Sequence, residues 1–324
     1  MKGRGKPLAV AIGVLAVIAI ALVIAVQPQR SRPAVPQGGN LPVAGPAGND
    51  ASPAPVRSGE APAGPGGTPS APRSSEAPLD LPPGHPPIGA AAEPVVLSVQ
   101  SWGHACFLLT GGREEALVSV VTDPYDPTFA GYAPLDLRAH FVTISHRHRD
   151  HDWRRGVQAF PGQPLRWLEP GAGAARLGEV SLTPIATFHD PQQGAARGPN
   201  TVWVIDFGTA RAVHLGDLGH LLSPEQVAAI GRVDVLLIPV GGYFTIGPEE
   251  ARQVVAQLRP RVVIPMHYRT EQTNPEIARR LQPVEAFTRF FPDVEFVDDN
   301  TLLLTAGEFR RDQPAIRVLK WKKL

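Results

Sequence analysis

Three histidines and one aspartate, His146, His148, Asp150 and His151, fall within six consecutive residues of the segment Ser145-His146-Arg147-His148-Arg149-Asp150-His151-Asp152. Imidazole nitrogen and carboxylate oxygen suit zinc, and also iron or manganese. A metal held with an open coordination position can make a hydroxide nucleophile near neutral pH, so the chemistry implied is hydrolysis at a metal centre. The plainer reading is a solvated polar loop. Against it, the preceding Phe141-Val142-Thr143-Ile144 alternates apolar and polar residues with β-branching, as a half-buried strand does. The cluster therefore sits at a strand end, where loops carry chemistry. It reads as half of a two-metal site.

A dinuclear site needs ligands from more than one loop, and His189, Asp217 and His267 offer the same chemistry. His189 follows the strand-like Leu182 to Phe188, Asp217 ends His214-Leu215-Gly216-Asp217, and His267 follows Val262-Val263-Ile264-Pro265-Met266. Any one alone would be an ordinary satisfied polar residue; with the cluster they complete a set. The elements that must position them follow the same patterning. Val95 to Ser101, Cys106 to Leu109, Leu117 to Thr122, Ser181 to Thr187, Thr201 to Phe207 and Ala210 to Leu215 are expected strands. Val233 to Pro239 and Arg261 to Pro265 suit buried strands. Helices are expected over Pro224 to Ile230, capped by Ser223, over Pro248 to Leu258, with Glu249 and Glu250 in its first turn, and over Pro275 to Leu281. Two strand-rich halves with helices to one side predict an α/β fold with two sheets packed face to face between helical layers.

The rest of the chain bounds the setting. After Lys2, Arg4 and Lys6 the sequence is uncharged and apolar from Pro7 to Val26. That length matches the about 20 residues of a spanning helix better than the roughly 7 to 15 of a cleavable signal. Residues 1–26 are thus expected to be an uncleaved signal anchor with a cytoplasmic N-terminus, the body lying outside the cytoplasm in a bacterial-type cell envelope. A cleaved secretion signal is the alternative. Residues 27–93 hold 16 prolines and no aromatic residue, so they cannot build a core and predict a disordered, partly polyproline-II linker. As a coil it would reach about 45 Å. One domain fits in 94–324. The single cysteine, Cys106, rules out an intrachain disulfide and reads as a small buried apolar residue. A net charge of +1 says little about partners, and the body carries no nucleic-acid motif, the basic tail Arg317, Lys320, Lys322 and Lys323 being too short to claim one. No nucleic-acid partner is expected; a small-molecule or lipid substrate is.

HxHxDH, a later His, a Gly-Asp and a final His in this order resemble the metallo-β-lactamase-fold hydrolase superfamily, over about Pro94 to Asn300. Trp102-Gly103-His104-Ala105, Thr122-Asp123-Pro124, His189-Asp190, Arg197-Gly198-Pro199-Asn200-Thr201, His214 through His220, and Pro265-Met266-His267-Tyr268 are similar to the branch that includes ascorbate-6-phosphate lactonase-like proteins. They are more remotely similar to N-acyl-phosphatidylethanolamine phospholipase D. The resemblance implies an αββα four-layer sandwich. It implies that His146, His148 and His189 bind one metal, that Asp150, His151 and His267 bind the second, and that Asp217 bridges them. The pair is expected to be zinc, with manganese or iron(II) as alternatives.

Around that set, Asp123 either orients a ligand His through its other ring nitrogen or forms an Asp-Pro turn. Asp150 is also a candidate catalytic group. His104 and His220 either donate to an oxyanion or leaving group or are structural, each following a glycine in a turn. His214 and His140 are expected to pack inside. Gly241-Gly242-Tyr243-Phe244, Tyr268-Arg269, Arg197 and Asn200 are candidates for lining a substrate pocket. The function expected is a membrane-tethered dinuclear hydrolase directing a metal-bound hydroxide at an ester, lactone or phosphodiester bond. Two alternatives compete: an iron-dependent redox enzyme on the same fold, opposed by the nitrogen-rich ligand set, and a non-catalytic metal-binding scaffold, opposed by the absence of a cysteine-rich closed site.

Overall fold

The computed structural model describes residues 93–113 and 115–322. The expected signal anchor and, apart from Glu93, the Pro-rich linker lie outside the described residues. Among the described residues no helix is long and apolar enough to cross a membrane.

The first half runs through β1 (Val95–Gly103), β2 (Cys106–Gly111), β3 (Val118–Thr122), the single turn α1 (Pro127–Ala130), β4 (Leu137–Ala139), β5 (Phe141–Thr143), β6 (Val157–Ala159) and β7 (Arg166–Leu168). The second begins with β8 (Ala175–Leu177), β9 (Val180–Phe188), β10 (Pro199–Asp206), β11 (Arg211–His214), α2 (Pro224–Ile230), β12 (Val235–Pro239), α3 (Pro248–Leu258) and β13 (Val262–Met266). It ends with α4 (Pro275–Ala278), α5 (Glu285–Thr288), β14 (Val294–Val297), β15 (Thr301–Thr305), a 3-10 turn (Ala306–Arg310) and β16 (Ala315–Leu319). One sheet has the order β15-β1-β2-β3-β5-β7 and the other β14-β16-β13-β12-β11-β10-β9-β8. In the first, β3, β5 and β7 run parallel. In the second, β11, β12, β13 and β16 do.

Period-two alternation sorts each strand between two cores. On β10, Trp203 and Ile205 face the first sheet, while Val202 and Val204 face the helices. On β12, Leu237 joins the inter-sheet core and Leu236 and Ile238 join the helix side. The inter-sheet core packs Leu97, Phe107, Val120 and Phe141 against Leu182, Trp203 and Ile264. Each fully buried side chain of this size contributes about 1.5–3 kcal/mol relative to exposure. On the other face of the second sheet, Ala251, Val254, Val255 and Leu258 of α3 pack with Phe287 of α5. The expected α/β architecture of two facing sheets is present, and α2 and α3 span the expected residues. α2 starts at Ser223 with a full capping box, its hydroxyl accepting from the Gln226 backbone N–H.

Three features differ from the sequence reading. The outer face of the first sheet is covered by α1, loops and the small β4-β6 sheet, not by a long helix, because Pro124, Pro127, Gly131, Pro134 and Gly156 interrupt any helical run. The helix expected over Pro275 to Leu281 stops regular winding at Ala278. The strands β14, β15 and β16 lie beyond the expected elements: Glu295 and Arg317 break the apolar patterns of β14 and β16, and β15 is only five residues long. β15 forms the edge beside β1, and β16 extends the second sheet beside β13 with β14 at its edge.

The parallel strands of both sheets discharge their C-terminal ends at one rim, the usual location of ligand sites in open α/β sheets. Trp203 Nε1 donates to the carbonyl of Ile144 at 3.0 Å, and the Thr201 N–H donates to the carbonyl of Ser145 at 2.8 Å. The second sheet thereby fixes the exit of β5, which leads into the His cluster.

Candidate metal centre

His146, His148, Asp150 and His151 leave β5, His189 leaves β9, Asp217 follows β11 and His267 follows β13. All seven meet at the rim. Ligand-capable atoms of His146, His148 and His189 lie within 4.8 Å of one another, and so do those of His104, Asp150, His151 and His267. Asp217 lies between the groups. Its Oδ2 is 3.3 Å from Nε2 of His151, His189 and His267, and 3.7 Å from Nε2 of His146. His148 is the exposed member of the set.

The centre is held by residues whose roles only the folded chain reveals. Asp123, in the turn after β3, accepts from His151 Nδ1 at 2.8 Å, from the Ser145 N–H at 2.7 Å and from the Ser145 hydroxyl at 2.5 Å. Ser145 Oγ is in turn 2.9 Å from His146 Nδ1. Of the two readings of Asp123, the orienting role is the one realised, and with its Nδ1 engaged His151 turns Nε2 toward Asp217. Asn200, offered above as a pocket residue, is buried instead. It donates to Thr187 Oγ1 and the Leu215 carbonyl, and its Oδ1 accepts the Asp217 N–H at 3.0 Å. Asp190 accepts four backbone N–H groups, from Gln192, Gly194, Ala196 and Arg197, and so shapes the loop beyond His189. Ser145 and Asp190 carried no spacing signal in the sequence.

Close backbone approach completes the arrangement. Gly216, at φ +56°, leaves no room for a side chain, since a Cβ would lie 2.4 Å from Ser145 Cβ. At Gly241 a Cβ would stand 2.2 Å from the His267 carbonyl oxygen. His267 itself has φ +53° and its N–H donates to the His104 carbonyl at 3.0 Å.

His104 joins the second group, although the resemblance leaves it outside the ligand set. Its Nε2 is 3.1 Å from Asp150 Oδ2, and its ring lies 4.1 Å from that of His267. His220 does not join either group. Its Nε2 accepts the Phe188 N–H and its Nδ1 donates to the Leu221 carbonyl, so the backbone uses both nitrogens and the ring is structural. Tyr268 packs into the helix-side core and also lines a small cavity with His104, Tyr132 and His267. His214 is buried as expected, its Nε2 2.9 Å from the Ala105 carbonyl. His140 also packs inside, in the turn before β5, where its Nδ1 accepts the Ser119 N–H. Burial and the nearby Asp123 carboxylate push the Cys106 thiol well above its ordinary value, which leaves it inert.

Electrostatics favours a cation. Burial holds His146 and His189 below the ordinary histidine value, so their lone pairs are available. Burial and the neighbouring His267 bring His104 to about 4 despite Asp150, keeping it neutral. Burial opposes ionisation of Asp217, yet His151 and His267 outweigh it and hold the carboxyl well below the carboxylate range. Burial also opposes charge on His151, but Asp217, Asp150 and Asp123 push it well above 6.5. The buried carboxylates of Asp123 and Asp217 and the half-buried one of Asp150 thus demand positive charge at one point. His151 Nε2 and Asp217 Oδ1 are buried with no hydrogen-bond partner, a costly state that a bound cation relieves. The donor set fits a divalent metal.

Comparison with known proteins agrees with this geometry. The sequence profile of the Beta-lactamase superfamily domain matches residues 98–267. A UPF0173 metal-dependent hydrolase of Thermoplasma acidophilum is 28% identical over 216 residues, covering 60% of this chain and 94% of its own. One from Deinococcus radiodurans is 32% identical over 197 residues, covering 54% and 86%. A crystal structure from Thermotoga maritima, assigned as a Zn-dependent hydrolase of the metallo-β-lactamase superfamily, is 35% identical with a TM-score of 0.55, covering 69% of this chain and all of that one. With its buried histidines and carboxylates at the sheet rim, the chain belongs to the metallo-β-lactamase superfamily and is a metal-dependent hydrolase.

Proposed function

We propose that the chain is a dinuclear hydrolase of ester, lactone or phosphodiester bonds, tethered to a membrane by residues 7–26 with its catalytic domain outside the cytoplasm. In this reading His146, His148 and His189 hold one divalent ion, Asp150, His151 and His267 hold the other, and Asp217 serves both. The supporting observation is the position of one carboxylate oxygen, Asp217 Oδ2, within 3.7 Å of imidazoles from both groups. Divalent ions bound there, zinc or else manganese or iron(II), would lower the pKa of a water and polarise the scissile carbonyl or phosphoryl oxygen.

The chain's own groups orient and move protons. Asp123 and Ser145 fix the His151 and His146 rings, and Asn200 fixes the backbone of Asp217. Asp150 is the less buried central carboxylate, at 16% side-chain exposure against 3% for Asp217. It is therefore the one that meets substrate. Burial opposes ionisation of Asp150, but the nearby His151 and the hydrogen bond that neutral His104 donates from Nε2 to Oδ2 keep it ionised, the form that can accept a proton from the attacking water. The uncharged run Pro7 to Val26 and the linker beyond it support the tether.

The test is turnover of a neutral ester, a lactone and a phosphodiester by the metal-loaded protein, beside Asp150→Asn and His104→Gln. We expect one substrate class to be turned over, with kcat reduced about 10²- to 10⁴-fold in Asp150→Asn, the range for a lost acid–base group. Turnover by Asp150→Asn at the wild-type rate would contradict the assignment.

A further inference from the structure

Two arginines converge on one exposed aromatic ring beside the metal centre. Tyr243, in the loop between β12 and α3, is 54% exposed and sits at φ +58°, directly after Gly242 at φ +70°. The Arg280 guanidinium, beyond α4, lies 4.6 Å from the Tyr243 ring centroid and donates to its hydroxyl. Arg197, just before β10, places its guanidinium 5.7 Å from the same centroid. Three separate segments thus bring two fixed positive charges and a phenol to one spot.

The spot adjoins the reacting region. Phe244 packs edge-on against Tyr243 with centroids 4.7 Å apart, and lies 6.4 Å from the ring of His267. Most arginines near the centre are neutralised: Arg147 pairs with Asp152 and Glu169, Arg149 with Asp126, and Arg154 with Asp152 and Glu169. Arg279, next to Arg280, pairs with Glu276. Among the described residues neither Arg197 nor Arg280 makes an ion pair with a carboxylate. Two guanidiniums against one ring without a carboxylate partner leave uncompensated positive charge there, which an anion in contact with them would offset.

We propose that Arg197, Arg280 and Tyr243 form a binding site for an oxyanion, a phosphate or carboxylate carried by the substrate away from its scissile bond. The proposal deepens the hydrolase reading and rests on it for the identity of the bound molecule. A guanidinium presents paired N–H donors that match oxyanion oxygens, and the Tyr243 hydroxyl supplies a further contact. The site would hold the charged end of a substrate while its ester, lactone or phosphodiester bond lies at the centre beyond Phe244. Neutral substrates would lack this contact.

The test is calorimetric titration of the metal-loaded full chain with inorganic phosphate and, separately, with acetate. We expect at least one of them to bind, and the double variant Arg197→Gln/Arg280→Gln to weaken that binding at least about tenfold, as losing charge-assisted hydrogen bonds implies. Preference for phosphate or acetate identifies which oxyanion the substrate carries. Arg279→Gln, which removes a paired charge one residue away, should leave the affinity unchanged. Wild-type affinity in the double variant, no binding of either anion by the wild type, or an equal loss in Arg279→Gln would overturn the proposal. Binding is read without turnover, so a protein that binds the anion but hydrolyses nothing would refute the hydrolytic reading alone.

Discussion

Asp123 shows how little of this centre depends on ligands alone. It touches none of the reacting positions, yet it holds His151 directly and His146 through Ser145. Replacing it with alanine leaves a buried imidazole nitrogen and a buried hydroxyl without their acceptor. Asp123→Ala should lower metal affinity about 10- to 100-fold, as loss of groups that orient metal ligands typically does. Competition with a chromogenic chelator measures this, and unchanged affinity would show that the ligands orient themselves. Asn200→Ala should cost about 1–3 kcal/mol by leaving the Asp217 N–H unpaired in the interior. Urea denaturation checks it. That the seven candidate ligands come together was legible in the sequence because His and Asp after strands are conspicuous. The supporting roles of Ser145, Asn200 and Asp190 were not, because a serine, asparagine or aspartate at a strand end or in a loop looks the same whether it faces water or a buried partner. His220 stayed open between a proton donor and a structural residue, because a histidine after glycine fits either until its backbone partners are known.

The loop that bears His148, Asp150 and His151 is clamped to the strand β7 end by ion pairs. Glu169 accepts from both terminal nitrogens of Arg154 at 2.7 and 2.8 Å, and Arg147 also reaches it. The hydrogen bonds from Arg154 hold the Glu169 carboxyl below its ordinary value, outweighing its partial burial. A depressed carboxyl stabilises the fold at pH above its unfolded value of about 4.3, and the contribution disappears as pH falls through the folded value. For a partly exposed pair the effect is less than about 1 kcal/mol. Glu169→Gln should therefore raise amide hydrogen exchange in residues 147–154 at pH 7, and the difference from wild type should vanish in acid. Equal exchange at pH 7 would show that the clamp is idle. A larger effect belongs to the strand ends. Gly216→Ala forces a Cβ onto Ser145 in a left-handed backbone, and a loss of about 1–3 kcal/mol is expected in denaturation, with reduced metal content. β12 and β13 were legible because buried strands are continuous apolar runs; β5 was legible by alternation as a half-buried strand, although the structure buries all three of its residues. β6, β7 and β8 are three residues each, too short for periodicity to register, and β15 and β16 pair with β1 and β13, far away in the chain.

At the scale of the molecule, the candidate centre lies where two sheets meet, and its candidate ligands span His146 to His267. Folding and metal binding are therefore coupled: the site forms only when both sheets are assembled, and bound ions stabilise that assembly. The lone Cys106 is buried and free, so no disulfide shares the burden. Chelation should lower the stability of the fold, by about 4 kcal/mol if the ions had been present at a thousand times their dissociation constant. The measurement that bears most directly on the dinuclear reading is metal content per chain by elemental analysis, for the wild type, Asp217→Ala and His189→Ala. Two divalent ions per chain are expected in the wild type, about one in His189→Ala, and fewer than two in Asp217→Ala. A single ion in the wild type, or two retained in Asp217→Ala, would contradict the assignment of Asp217 to both.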